Sequence, residues 1–257
     1  MEPRTAEQKA VFDAIFKSEE SRWAFHDTKD PLMRYVRDRR LNRALKELRK
    51  LTSERIEDFS VLTVCGGVGG EATYFLNAGF KDVTNSDFSE HALEVCLRRD
   101  PRAKVIRLDA EAMALDDGAY DLVVVQDGLH HLPRPALGLN EMIRVARKAV
   151  IVLEPHTGVV GRLIGTTWER HGDVVNYVYR WNLGMFRQTV LRQVLEAPVD
   201  IRVVRLWDHN TTIRKIASRF GKGGFSLKLA RLIYGFLSPF NFLGNNFIGI
   251  LHRKEAR

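Results

Sequence analysis

From Ser60 onward, short β-branched runs alternate with helical patterns, and this rhythm restricts the chain to a small set of architectures. Val61–Val64, Val83–Ser86, Lys104–Leu108, Asp121–Val125 and Ala149–Leu153 read as strands. Helical patterns over 70–78, 89–99 and 136–146 lie between them, the second with Ser89 as its N-cap. The unbroken apolar run of the fourth strand is expected where both faces of a sheet are covered. Strand–helix–strand repetition predicts a parallel sheet with right-handed crossovers. Ile201–Trp207 and Phe247–His252 read as a sixth and a seventh strand.

Two segments break the rhythm. Residues 156–199 contain Gly158, Gly161, Gly165 and Gly172, then a helix from about Arg187 to Glu196. Residues 211–244 read as largely helical. Ahead of the sheet, helices are expected over 5–17 and 32–51. In the second, Leu41, Leu45 and Leu48 share one face. Arg34, Arg37, Arg39, Arg40, Arg43 and Arg49 occupy its other faces, and a solvated basic surface is the expectation for them.

The first strand runs into Cys65-Gly66-Gly67-Val68-Gly69-Gly70 before a helix. Glycines at such a junction let the backbone turn tightly and approach a ligand. In open parallel sheets, ligands bind beyond the carboxyl ends of the strands. Asp87, Asp109 and Gln126-Asp127 end three other strands and converge on that region. The turn alone also fits a dinucleotide fingerprint, Gly67-x-Gly69-x-x-Ala72 with Asp87 the right distance on, so a nicotinamide-dependent oxidoreductase competes. Against it, Asp109 has no role in that fingerprint, and no second nucleotide-binding half follows the fifth strand.

The other bulk properties bound the partners. The net charge of +8 favours anionic partners in general, though a solvated basic surface is the commoner account of it. The two cysteines, Cys65 and Cys96, are in no metal-type pair and imply no disulfide framework, as in a reducing compartment. The start of the chain has no apolar run of the signal-peptide kind, and the longest apolar candidate, 225–240, is broken by Lys228, Arg231 and Pro239. A cytoplasmic protein is expected.

Four motifs, in order, carry a resemblance. They are Val61-Leu62-Thr63-Val64-Cys65-Gly66-Gly67-Val68-Gly69, Val83-Thr84-Asn85-Ser86-Asp87-Phe88-Ser89, Leu108-Asp109-Ala110-Glu111, and Tyr120–Gln126 followed by Leu129-His130-His131-Leu132. Together they resemble the type-11, ubiquinone/menaquinone-biosynthesis-like branch of the class I S-adenosylmethionine-dependent methyltransferases. The resemblance implies an α/β, Rossmann-like, seven-stranded sheet, mostly parallel with the last strand antiparallel and with helices on both faces. It would be organised as an N-terminal helical lid over 1–52 and a methyltransferase domain over 53–257. The segments 156–199 and 211–244 would be insertions capping the active site.

The resemblance also implies roles. S-adenosylmethionine would be the cofactor and S-adenosylhomocysteine the product. Asp87 would accept hydrogen bonds from both ribose hydroxyls, as an acceptor-only carboxylate can. Phe88 would pack on the adenine, and Asp109 would accept from its amino group, with the Ala110 amide nearby. Cys65, Gly66, Gly67 and Gly69 would accommodate the methionine part and the sugar, and Gln126 would border the sulfonium. This chain departs from the family where an acid is common, at Thr63, and where glycine is common, at Cys65. The amino-acid end of the cofactor would then be held differently, with the Glu71 backbone, Arg34 and Tyr35 as candidates.

Methyl transfer gains mostly from positioning, and a general base helps when the acceptor is a hydroxyl. His131, His130 and His156 are the candidates, with loop packing as the alternative role for the His-His pair. Asp127, His130, His131 and His156 make a ligand set on paper, but their spacing is not diagnostic and no metal is expected. The acceptor is expected to be small and apolar, aromatic or lipid-like, and methylated on oxygen, carbon or nitrogen. Nucleic acid is disfavoured: the chain has no Asn-Pro-Pro-Tyr-like tetrapeptide, and neither cysteine follows a proline. From His209 to Lys254 there is no acidic residue, so a basic amphipathic helix within 211–240 is a candidate for contact with an anionic membrane surface, and a cap packed on the core is its alternative. A non-catalytic binding module of the same fold is the remaining possibility.

Overall fold

A computed structural model describes residues 31–159, 167–171, 174–195, 198–208 and 224–254, with isolated positions besides. The helix expected over 5–17 falls almost entirely outside the described residues, as does most of 211–223. In chain order the elements are α1 (Pro31–Leu48), β1 (Ser60–Val64), α2 (Gly70–Asn77), β2 (Asp82–Asp87), α3 (Glu90–Arg99), β3 (Lys104–Arg107) and β4 (Tyr120–Gln126). They continue with α4 (Pro135–Val145), β5 (Ala146–Pro155), β6 (Trp168–His171), β7 (Val174–Tyr177), α5 (Leu183–Val194), β8 (Val199–Leu206), α6 (Gly224–Leu237) and β9 (Asn246–Arg253).

Seven strands form one sheet in the order β3-β2-β1-β4-β5-β9-β8. Pairings from β3 through β5 are parallel, and β9 runs antiparallel between β5 and β8. Alternation along β1 and β4 sends side chains to opposite faces. Val61, Leu122 and Val124 join one core with Leu41, Ala44, Leu45 and Leu48 of α1 and Phe75 of α2. Leu62, Val64, Val123 and Val125 join a second core with Leu139 and Met142 of α4 and Phe186 and Val190 of α5. Both faces are therefore covered, as the apolar strands predict. The leucine face of α1 packs against the sheet within the same core as the strands.

Local chemistry sets the element ends. The Ser89 hydroxyl accepts from the Ala92 N–H, and α3 ends on Arg98 and Arg99, which suit its carboxyl-terminal dipole. The helix predicted from Arg187 starts four residues earlier, because the Asn182 side chain accepts from the Met185 N–H and caps it. The hairpin β6–β7 was not anticipated; Trp168 pairs with Tyr177 across it, and their rings meet edge to face at 5.2 Å.

Candidate active site

The carboxyl ends of β1, β2 and β4 lie side by side, and the glycine turn leaves the sheet among them. Cys65, Gly67 and Gly69 all have positive φ, at 52°, 49° and 79°. Glycine is required at 69 for a second reason: a Cβ there would lie 2.2 Å from Cys96 Sγ. At Gly66 a Cβ would lie 2.1 Å from Asn85 Oδ1, so the missing side chain makes room for Asn85. The Thr63 hydroxyl donates to Asn85 Oδ1 at 2.7 Å, and Asn85 Nδ2 donates to the Gly67 carbonyl at 2.9 Å. The Gly66 N–H donates to the Ser86 carbonyl, and the Ser86 hydroxyl donates to the Thr63 carbonyl. Where the family often carries an acid, this chain thus has a buried hydroxyl that fixes the turn through Asn85.

Cys65 occupies the left-handed region without being glycine. The Gly128 backbone approaches so closely that a Cβ on Gly128 would lie 2.6 Å from Cys65 Cβ. Burial pushes the Cys65 thiol up, and the carboxylates of Asp87, Glu154, Asp109 and Glu111 add to that, so it is a protonated packing group. Cys65→Val is expected to destabilise the fold by about 1–3 kcal/mol, because a β-branched side chain tolerates this φ poorly. Cys65→Gly should stay within about 1 kcal/mol of the parent, since relief of strain offsets lost packing and added chain entropy. Urea unfolding of both variants checks this; equal tolerance of valine would remove the strain argument.

Asp87 ends β2 with its carboxylate buried. Oδ2 accepts from the Gly67 N–H at 2.9 Å and Oδ1 from the Ser89 N–H at 3.0 Å. The carboxylate is therefore fixed against the glycine turn by two backbone donors, with lone pairs left to accept from a further donor. Phe88 follows, half-buried. Beyond β3, Asp109 Oδ1 accepts from the Glu111 N–H and Ala110 is buried beside it. Glu111 is itself buried and accepts from the backbone and side chain of Arg134, closing the loop before α4. At the end of β4, Gln126 Oε1 is buried with no hydrogen-bond partner among the described residues. A buried acceptor without a donor is costly in the protein alone. Its partial negative charge suits a cationic ligand.

The histidines separate by environment. His130 is buried, and its Nδ1 lies 2.6 Å from Glu154 Oε2. Glu154 Oε1 accepts from the Gly128 and Leu129 N–H groups, so this fully buried carboxylate ties the β4 loop to the end of β5. Sequence reasoning passed over Glu154; an acid directly after the apolar run 149–153 was the available signal. His131 is half-buried on the same short turn, its ring 4.0 Å from that of His130. His156 Nδ1 lies 2.8 Å from the Trp181 carbonyl, and its ring stacks near Phe247. Burial pushes the His156 pKa down, so it is neutral at pH 7. Among the described residues no group of three or more His, Cys, Asp or Glu is placed to hold a metal ion.

A further cluster gathers on the loop after β4, and here the solvated reading of the α1 arginines needs correction at Arg40. Arg40 is buried. It grips Asp127 with both terminal nitrogens and reaches Asp208 Oδ2 with Nε at 3.2 Å. Asp127 follows β4 with φ of 54°, a second left-handed non-glycine residue directly beside Cys65's loop. Asp208, after β8, accepts from the Tyr234 hydroxyl, and the Arg39 guanidinium lies 3.7 Å over the Tyr234 ring. Burial pushes the Asp208 carboxyl up against the opposing pull of Arg40. Glu71, in the first turn of α2, is likewise pushed up by burial, with Arg37 and Arg40 opposing. Of the N-terminal side chains, Arg40 and Arg37 reach the glycine-turn end, while Tyr35 turns to Tyr234 on α6.

This strand order and the antiparallel β9 differ from the doubly wound dinucleotide fold, in which a second parallel half continues the sheet. They define the class I methyltransferase fold. Residues 62–153 match the family described as a methyltransferase domain. A demethylmenaquinone methyltransferase of Clavibacter sepedonicus is 34% identical over 100 residues, which are 38% of this chain and 38% of that protein. One of Paenarthrobacter aurescens is 33% identical over 87 residues, 34% of each chain. These matches span less than two fifths of either relative. Among solved structures, a Thermotoga maritima methyltransferase described as a possible histamine N-methyltransferase aligns over 95% of this chain and 99% of its own, with TM-score 0.58 and 15% identity. Magnesium protoporphyrin IX methyltransferase of Synechocystis, solved with bound S-adenosylmethionine, aligns over 96% and 97%, with TM-score 0.58 and 13% identity. At these identities the structural likeness speaks for the fold. The chain has the class I methyltransferase fold, and its central segment matches the methyltransferase-domain family and is similar to demethylmenaquinone methyltransferases.

Proposed function

We propose that this protein transfers a methyl group from S-adenosylmethionine to a small apolar acceptor of the quinone class. The observation that carries the reading is Asp87, a buried carboxylate held by the Gly67 and Ser89 N–H groups at the foot of a left-handed glycine turn. The residues present fit the cofactor: Asp87 for the ribose, Phe88, Asp109 and Ala110 for the adenine, Cys65 to Gly69 for the sugar and methionine part, and the unpartnered Gln126 Oε1 beside the cationic centre. When bound, S-adenosylmethionine supplies an electrophilic methyl group. The chain's own work is then to orient, to exclude water and, where needed, to remove a proton. The His130–Glu154 pair holds the β4 loop in place. His131, on the same turn, is the base candidate for a hydroxyl acceptor, and His156, neutral at the end of β5, is a second. In this reading α1, α5 and α6 belong to the cover over the site. The quinone-class acceptor is supported by the names of the two partial relatives and by the apolar character of those covers.

The test has two arms. Calorimetric titration with S-adenosylhomocysteine should show micromolar binding; no detectable heat would sink the cofactor assignment. Transfer of labelled methyl from S-adenosylmethionine to demethylmenaquinone should exceed transfer to catechol or to an amine. Cofactor binding without transfer to the quinone would leave the class standing and overturn the acceptor.

A further inference from the structure

We propose that the outer face of α6 and the turn after it dock on an anionic lipid bilayer. α6 packs inward through Ser226, Ala230 and Tyr234, spaced four residues apart, against Leu32, Met33 and Val36 of α1. Its opposite side is apolar and faces solvent: Phe225 is 60% exposed, Leu232 71% and Phe236 76%. The row continues at both ends, with Phe220 and Phe225 rings 5.6 Å apart and Phe236 and Phe240 rings 6.5 Å apart. Phe242, on the turn Ser238–Leu243, is 61% exposed and extends it. Scattered exposed apolar residues are ordinary, but a continuous aromatic and aliphatic row on one helix face marks an interaction surface.

Charge selects the occupant. Lys228 and Arg231 are exposed and border the apolar row. The chain from His209 to Lys254 contains no Asp or Glu, yet carries Arg214, Lys215, Arg219, Lys222, Lys228 and Arg231 ahead of β9. Aromatic side chains that enter the headgroup boundary beside basic ones that meet lipid phosphates are the two components of interfacial binding. A surface for nucleic acid would need the cations without this apolar row. No helix among the described residues is long and apolar enough to cross a membrane. α6 also reaches the site, because Tyr234 bonds Asp208, which shares Arg40 with Asp127. Docking would thus set the mouth of the site beside the layer that dissolves apolar molecules. The docking itself does not rest on the methyl-transfer reading.

The experiment is co-sedimentation of the full chain with phosphatidylcholine vesicles with and without phosphatidylglycerol, at low and high salt. Binding is expected only with phosphatidylglycerol, and should weaken with salt. Phe225→Ser/Phe236→Ser and Lys228→Glu should each reduce partitioning by about tenfold or more while the thermal melt stays within a few degrees of the parent, as these side chains are exposed. Protein left in the supernatant with phosphatidylglycerol at low salt would overturn the proposal, as would variants that bind like the parent. A parent dimer by light scattering that Phe225→Ser/Phe236→Ser converts to monomer would assign the face to a second copy, and tighter binding to RNA than to vesicles would assign it to nucleic acid; either overturns it.

Discussion

Replacing Asp87 with alanine is expected to weaken S-adenosylhomocysteine binding by about a hundredfold or more. Two charge-assisted hydrogen bonds to a ribose diol are worth roughly 1.5–3 kcal/mol each, and every 1.4 kcal/mol is about tenfold in affinity. The change also removes the acceptors for the Gly67 and Ser89 N–H groups, so the glycine turn loses its anchor on β2. Asp87→Asn removes the charge while keeping the shape. It is nearly isosteric, but one oxygen becomes a donor, so it can satisfy only one of the two N–H groups and one of the two hydroxyls. Calorimetry on both variants, with circular dichroism as the folding control, reads the result. Binding by folded Asp87→Asn within threefold of the parent would show that the ribose is held elsewhere.

The second large effect is on stability. Arg40→Met is expected to cost about 3–5 kcal/mol at pH 7, because it leaves the buried Asp208 carboxylate without its cation and releases the partly exposed Asp127. For a chain of this size each kcal/mol lowers Tm by about 2–4 °C, so a fall of about 10 °C is the scale to look for. The loss should shrink as pH falls from 7 toward 4. Without Arg40, burial holds the folded-state pKa of the Asp208 carboxyl above its unfolded value. The folded form then binds more protons than the unfolded one through that window, and stability rises as pH drops. Adding Asp127→Asn and Asp208→Asn to Arg40→Met should recover much of the loss, and a double-mutant cycle gives the coupling. A cost under 1 kcal/mol at pH 7, independent of pH, would show that solvent reaches the cluster.

The same pairing sets how α1 relates to the site. Asp127 sits on the loop after β4, one residue beyond Gln126 and three before His130. An arginine from α1 and a carboxylate after β8 therefore hold a loop of the candidate site, and both come from segments outside the matched 62–153.

Much of the fold was legible in local pattern. Seven strands and their approximate limits followed from β-branched runs and from the apolar stretch at Leu122–Val125, since a strand covered on both faces has to be apolar throughout. The glycine turn followed from Gly67 and Gly69, which adopt a backbone that other residues enter only at a cost, and Asp87 followed as a polar residue ending a buried strand. These are properties of a residue and its near neighbours. What tertiary structure alone decided were the long-range pairings. Helical periodicity placed Leu41, Leu45 and Leu48 on one face of α1, but it records only that a face is polar or apolar, not what it meets. Arg40 looked like its five neighbours, and only the fold brings carboxylates from 87 and 168 residues away to enclose it. Glu154 became a clamp because β5 lies beside β4, so that its carboxylate meets the N–H groups of Gly128 and Leu129. Sequence determined the sheet and the turn because their conformations are locally encoded; packing determined the clamps, because a buried charge takes its meaning from the partner that reaches it.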